Sequence, residues 1–340
     1  MTHGNGLLHI ISHTDLDGVA AAAVAWYAHR GDGDPIKLSL TGYGEYDNLL
    51  TEGIGKRTRM ITLDLSPQFQ NTVDEIDKVW PEGEPPFVFD HHKTTFEKYK
   101  NRPWIVVDMD YCGALVYWNW LAANDEDAFR RVKPLENIVR VANDRDLWIN
   151  EDPDGRLWQA MVTLCGEWGA LARLMSNPDA AFTESEHAAV TDFVTRQEER
   201  FKRAKEHIIR TAIKGSDERF DFLGDGYLEF GDTSDFCGML LDRPEEGDGS
   251  LSLVALAYHK SNGWSVSLRS KNALAGRVVS LLKDGKKIRG GGHGDAAALY
   301  FPNHYNENGI KDSIAAAISS ERESSSGMGV TLGDLLKGSL

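Results

Sequence analysis

Cysteine is scarce in this chain, with three in 340 residues, Cys112, Cys165 and Cys237, and no Cys-x-x-Cys pair. A disulfide framework and a thiolate zinc site are thereby excluded, and the three are expected to be buried, reduced thiols. Long apolar runs are also missing. The stretch from Val19 to Trp26 is too short to span a bilayer and follows acidic residues, so neither a membrane helix nor a signal peptide fits and a cytoplasmic location is expected. Positive charge is short as well: 37 basic residues face 52 acidic ones, a net charge of −15. That balance excludes a broad basic face for long duplex DNA or RNA. There is no Gly-x-Ser-x-Gly elbow, no P-loop and no Gly-x-Gly-x-x-Gly after a strand, which removes the usual serine hydrolase, nucleotide-triphosphate and dinucleotide readings.

What remains is an ordinary globular composition whose length suggests two domains. The first part alternates short apolar strands with helices: strands at Leu7–Ser12, Met60–Leu65, Phe87–Phe89 and Ile105–Val107, a helix over Gly18–Arg30, then helices over Gly113–Leu121 and from Leu135 onward. A parallel α/β architecture follows. From Glu184 to Lys214 apolar residues recur at three- and four-residue steps among charges, which reads as a long amphipathic connecting helix. Strands return at Tyr227–Phe230, Leu251–Tyr258, Trp264–Leu268 and Ala296–Phe301, marking a smaller α+β domain. The expected division is therefore 1–183, a helix over 184–214, a second domain over 215–304, and a C-terminal helix with a mobile tail over 305–340, the mobile part beginning near Ser319. The tryptophans, among them Trp118, Trp120, Trp148 and Trp158, are read mostly as core or domain-interface residues, with stacking on a base the alternative for one of them.

Four places put Asp or His just after an apolar stretch: His13, Asp15 and Asp17; Asp64; Asp90, His91 and His92; and Asp144 with Asp146. One such carboxylate is more often a helix cap or turn residue. Several at the ends of parallel strands converge on one crevice. Carboxylates mixed with imidazoles and no thiolate suit manganese or a similar ion better than calcium or structural zinc. With this many ligands two divalent ions are expected, and two metals roughly 3.5–4 Å apart suit in-line displacement at phosphorus.

The ordered set His-Thr-Asp-Leu-Asp-Gly, a strand-end Asp, Asp-His-His, a further Asp, then Ser-Leu-Arg-Ser and Gly-Gly-Gly-His resembles the DHH phosphoesterases with a DHHA1 domain, over roughly Leu7 to Leu299. Within that group it looks most like the NrnB-type oligoribonucleases, and less like the NrnA or RecJ branches. The resemblance implies an N-terminal parallel-sheet DHH domain joined by a long helix to a smaller DHHA1 domain. It implies Asp15, Asp17, Asp64, Asp90, His91 and Asp144 as ligands of two ions, with Asp64 and Asp90 bridging and His92 contacting the phosphate or protonating the leaving oxygen. Where several members place a ligand His, this chain has Ile11, so His13 either reaches a metal or orients Asp15 by a hydrogen bond. Asp144, directly after the apolar helical stretch, is preferred over Asp146.

Between Tyr258 and His293, Lys260, Arg269, Lys271, Arg277, Lys283, Lys286, Lys287 and Arg289 face one acid, Asp284. A solvated surface is the plain reading. The resemblance points instead to a substrate site at Arg269, Ser270, Lys271, Gly290, Gly291, Gly292 and His293, where a planar guanidinium and open glycine amides meet a phosphate. The expected function is a manganese-dependent phosphodiesterase that degrades very short RNA, such as dinucleotides, to mononucleotides, with a homodimer compatible with that reading. The same fold also suits a phosphatase for 3′-phosphoadenosine 5′-phosphate or a cyclic (di)nucleotide phosphodiesterase. A nucleotide-binding sensor without turnover is the alternative from another class.

Overall fold

A computed structural model describes residues 6–80, 83–214, 216–242, 251–283, 287–292 and 294–327. The chain divides into two compact units, Met1–Val194 and Thr195–Leu340.

The first unit winds strand and helix in alternation: β1 (Leu8–Ser12), α1 (Leu16–His29), β2 (Ile36–Leu40), α2 (Tyr43–Gly55), β3 (Arg59–Leu63), α3 (Gln70–Val79), β4 (Val88–Asp90), α4 (Lys93–Tyr99) and β5 (Ile105–Val107). Helices α5 (Gly113–Asn124), α6 (Glu126–Val132), α7 (Glu136–Asp146), α8 (Asp154–Ser176) and α9 (Glu184–Glu206) follow. The five strands are all parallel in the order β2-β1-β3-β4-β5. The chain leaves β1 toward one edge and returns to the other side for β3, so the switch point, where open α/β sheets bind ligands, lies at the carboxyl ends of β1 and β3. Helix α1 is buried on nearly every side because its face-to-face alanines, Ala20 to Ala23 and Ala25, admit α5, α6, α7 and α8 closely. A helix apolar all round belongs in a core, and this one anchors the turn that carries His13 to Asp17. Helix α8 is broken at Gly166, whose φ of 72° lies outside the helical region.

The second unit comprises β6 (Ile209–Ala212), β7 (Arg219–Leu223), α10 (Thr233–Asp242), β8 (Leu251–Lys260), β9 (Gly263–Ser270), α11 (Leu274–Leu282), β10 (Arg289–Gly292), β11 (Ala296–Phe301) and α12 (Glu307–Gly327). Its sheet runs β10-β11-β9-β8-β7-β6, antiparallel except where β7 meets β8. Phe220, Phe222, Leu253, Val266, Leu268 and Leu299 form its core with α11 and α12.

Several expectations change. The connecting helix stops at Glu206, and 209–212 pairs with β7 as an edge strand instead of continuing the helix to Lys214. Residues 227–230 form a turn leading into a short 3-10 helix, not a strand. Helix α12 runs to Gly327, through the segment read as a mobile tail. The glycine run is strand β10 and not a loop: a Cβ on Gly290 would lie 2.8 Å from the Ala298 carbonyl oxygen, so the pairing with β11 itself requires glycine. All three cysteines are free as expected, but Cys165 is exposed while Cys112 and Cys237 are buried. Trp118 and Trp158 are core residues, whereas Trp148 is exposed. No helix among the described residues is long and apolar enough to cross a membrane.

Candidate metal centre

The carboxyl ends of β1, β3 and β4 and the last turn of α7 bring their acids and histidines together. The turn after β1 is tight enough that a Cβ on Gly18 would sit 2.3 Å from the His13 carbonyl oxygen, so only glycine closes it. Asp15 caps α1 by accepting from Gly18 N at 3.0 Å and takes a hydrogen bond from His13 Nδ1 at 2.8 Å. Asp17 lies across the N-terminus of α5, accepting from Gly113 N at 2.6 Å and Ala114 N at 2.8 Å, a favourable place for a carboxylate. Asp64, at the end of β3, is held at a φ of 55°, a left-handed conformation that a non-glycine residue adopts at a cost.

His91 Nε2 stands 3.3 Å from Asp64 Oδ1, 3.4 Å from Asp146 Oδ2 and 3.9 Å from Asp17 Oδ2. Three groups have their ligand atoms within 4.8 Å of one another: Asp64, His91 and His92; His13, Asp15 and Asp64; and Asp17, His91 and Asp146. Asp64 is shared by two of them, the arrangement a bridging ligand needs. Asp90, the other expected bridge, belongs to none; its Oδ1 accepts from His92 Nδ1 at 2.7 Å and from His91 N at 2.8 Å.

Asp144 is the main revision. The sequence prefers it to Asp146, but its two carboxylate oxygens accept from Glu151 N at 3.0 Å and Asp152 N at 3.1 Å, so it clasps the loop after α7. Two residues later, about half a turn around the helix, Asp146 is the residue that reaches His91. Spacing alone does not distinguish two acids separated by one residue at a helix end.

Charge crowding defines the electrostatics. Burial, then Asp17, Asp15 and the other nearby carboxylates, push Asp64 well above the usual carboxylate range. Burial, Asp17 and Asp15 likewise raise Asp146 to about 8. Burial opposes the charge of His92, but the hydrogen bond and charge of Asp90 prevail and lift it to about 9. Burial lowers His91 below the ordinary histidine value. Among the described residues, the buried atom Asp64 Oδ1 has no hydrogen-bond partner. Leaving buried carboxylate oxygens without donors is costly, and a divalent cation resolves both that deficit and the mutual repulsion. The donor set therefore fits a metal.

Two contributors carry no motif. The ring of Tyr43, first residue of α2, lies 6.1 Å from His13 and 6.3 Å from His92, and burial among the site carboxylates raises its hydroxyl pKa. Gly113 leaves space that a Cβ would take from the site, 2.8 Å from Asp64 Cβ and 3.0 Å from Asp17 Oδ2. A Gly-Tyr pair just past β2 was the one available signal for Tyr43.

In the second unit, Arg269 on β9 donates to its neighbouring Leu268 carbonyl at 3.0 Å. Ser270 is buried and accepts from Ala275 N at 2.8 Å, so it braces the start of α11. Asn272 and Ala273 are both left-handed, at φ 60° and 59°, and Asp295 ties this turn down through Ala273 N at 2.6 Å. Lys271 is exposed on the same turn, and Gly290 to Gly292 lie on β10. Arg277 is committed elsewhere, paired with Glu321 at 2.7 Å. His293, Asp284 and Lys286 lie outside the described residues.

No protein-family model matches the chain, and no curated protein matches it. Among solved structures it is similar to a RecJ exonuclease bound to manganese, with 14% identity over 92% of this chain and 90% of that one, TM-score 0.59. It is similar to PggH, a pGpG-specific phosphodiesterase from Vibrio cholerae, with 12% identity over 92% of this chain and 99% of that one, TM-score 0.52. It also resembles RecJ in complex with Mn2+ from Thermus thermophilus, with 14% identity and TM-score 0.55, where 92% of this chain spans 52% of the longer protein. At such identities the likeness establishes architecture: the chain has the two-domain α/β fold of the RecJ structures.

Proposed function

We propose that the protein is a metal-dependent phosphodiesterase of the DHH type that hydrolyses very short RNA, dinucleotides first, to mononucleotides. The observation that carries the reading is the convergence of Asp15, Asp17, Asp64, His91 and Asp146 around the buried Asp64 carboxylate, one oxygen of which lacks a donor among the described residues, at the switch point of a parallel sheet. Two divalent ions, manganese foremost for this mixed oxygen and imidazole set, would supply charge neutralisation and a water of lowered pKa. Asp64 is the ligand placed to be shared, and His13 both orients Asp15 and stands 3.6 Å from Asp64 Oδ2. Asp90 holds His92 through Nδ1 and raises its pKa, which suits His92 to hand a proton to the departing oxygen. The specificity of the structurally similar PggH for pGpG favours a dinucleotide among the possible substrates.

The role of Arg269, Ser270, Lys271, Gly290 to Gly292 and His293 in holding substrate rests on the family resemblance. Ser270 then acts by fixing the turn beside Arg269, since its hydroxyl is engaged by Ala275 N.

A panel of pGpG, a five-nucleotide RNA, the same DNA, 3′-phosphoadenosine 5′-phosphate and cyclic di-AMP, each with manganese, tests the reading through kcat/KM. The dinucleotide is expected to lead. A lead for either of the last two substrates would transfer the protein to those activities. Metal-dependent binding without turnover of any would leave a sensor.

A further inference from the structure

Helix α7 ends at Asp146, Leu147 caps it, and the chain continues through Trp148 at φ 56° and Asn150 at φ 57°. The residue after a helix cap is commonly left-handed, but glycine or asparagine normally fills it, because a side chain there crowds the backbone. Asn150 obeys that preference and Trp148 does not. The loop is nevertheless firmly held. The Asp144 carbonyl accepts from Ile149 N at 3.0 Å, its carboxylate takes the amides of Glu151 and Asp152, and Asn150 Nδ2 donates to the Trp148 carbonyl at 2.9 Å. A bulky residue kept in an unfavourable conformation by its surroundings is a common mark of a functional position.

Burial alone does not justify the place of the indole, for Trp148 keeps 39% of its surface exposed. The Arg145 guanidinium carbon lies 4.4 Å from its ring centroid, a cation–π contact that holds the ring. Two residues earlier, Asp146 reaches His91. Exposed Met109 and Tyr111 sit on the segment before α5, which is tied to the last turn of α7 by Cys112 N donating to Asn143 Oδ1 at 2.9 Å. Large exposed apolar side chains thus lie on the two chain segments adjoining the acidic centre, where a bare phosphate ester would call for none. A flat, neutral π-face next to a phosphate is the chemistry of a nucleotide, and stacking on indole is indifferent to which base is present.

We propose that Trp148 is the stacking platform for the base of the nucleotide whose phosphate reaches the Asp/His cluster, making the first unit itself selective for nucleoside phosphates over simple phosphate esters. This rests on the phosphodiesterase reading of that cluster.

Calorimetric binding of AMP and of ribose 5-phosphate to the manganese-loaded full chain tests it, with Trp148→Asn and Trp148→Phe alongside wild type. Asparagine tolerates the left-handed backbone while removing the ring; phenylalanine retains a ring. Wild type is expected to prefer AMP by about five- to hundredfold, the range found for stacking of one base. Trp148→Asn should bring that ratio near unity and Trp148→Phe should keep most of it. A preference retained in Trp148→Asn, or wild type binding both ligands equally, overturns the stacking role while the phosphate site stands. Wild type binding neither ligand overturns the reading of the cluster and the platform with it.

Discussion

Replacing Asp144 and Asp146, separated by one residue, should give opposite results in metal-free protein. The Asp144 carboxylate is buried and accepts two backbone amides, at 3.0 and 3.1 Å. Hydrogen bonds to a charged group contribute about 1.5–3 kcal/mol each, and water can partly replace the carboxylate at an exposed loop. Asp144→Ala should therefore cost about 2–4 kcal/mol, or about 5–15 °C in the melting of the first unit. Asp146 has its carboxyl raised to about 8 by burial and by Asp17 and Asp15. The folded state thus holds a proton that the unfolded chain releases near 4, and the ionised form lowers stability as pH rises through that window. Asp146→Asn mimics the protonated acid and removes the repulsion, so metal-free melting at pH 7.5 should stay level or rise. Manganese affinity should move the other way, falling at least tenfold to a hundredfold for Asp146→Asn by analogy with losses of lesser ligand contacts. Calorimetric melting in chelator, followed by manganese titration, reads both quantities. If Asp146→Asn melts as early as Asp144→Ala, or if Asp144→Ala loses manganese with its stability intact, the assignment of the two acids is wrong.

Gly113→Ala puts a methyl 2.8 Å from Asp64 Cβ and 3.0 Å from Asp17 Oδ2, forcing the start of α5 or the two acids to move. Overpacking of this kind costs about 1–3 kcal/mol. Displacing a reacting geometry by about 1 Å costs roughly a hundredfold in rate, so dinucleotide turnover within threefold of wild type would contradict the cluster's role. His9, which bonds Ser39 Oγ at 2.8 Å, is held down to about 4 by burial and then by Lys37. It is neutral in the fold, so its contribution is complete above pH 6.5 and is lost as pH falls from 6.5 toward 4. Melting temperatures of His9→Gln should depend less on pH across that window than those of wild type; parallel curves would remove His9 from the account.

The sequence made the parallel strands of the first unit legible because buried strands of such sheets are short continuous apolar runs, as at β1, β3 and β4. Strand β2 was missed, since Ile36–Leu40 alternates apolar and polar residues at an edge and is only half buried. Strands β6 and β10 escaped for a related reason: both are short, exposed edges whose residues respond to a neighbouring strand more than to their own propensity. The end of the connecting helix was overrun because charge-rich periodicity continues past Glu206, although Ile209 to Ala212 gain more from pairing with β7.

For the site, chain order identified which strand ends converge, but not which atoms arrive. His13, Asp15, Asp17, Asp64, His91 and His92 meet because β1, β3 and β4 are neighbours in one parallel sheet. Asp144 and Asp146 instead sit at the end of a helix, where two residues are separated by about 200° around the axis. One must therefore turn away when the other faces the cluster, and the choice depends on which face α7 buries. Ile138, Val139, Val141 and Ala142 fix that face against α1, a property of the packed helix and not of the tripeptide Asp-Arg-Asp. The acid that turned away acquired different work, clasping the loop that carries Trp148. The acid that joins the cluster and the residue that shapes the loop beside it thus come from the same short acidic motif.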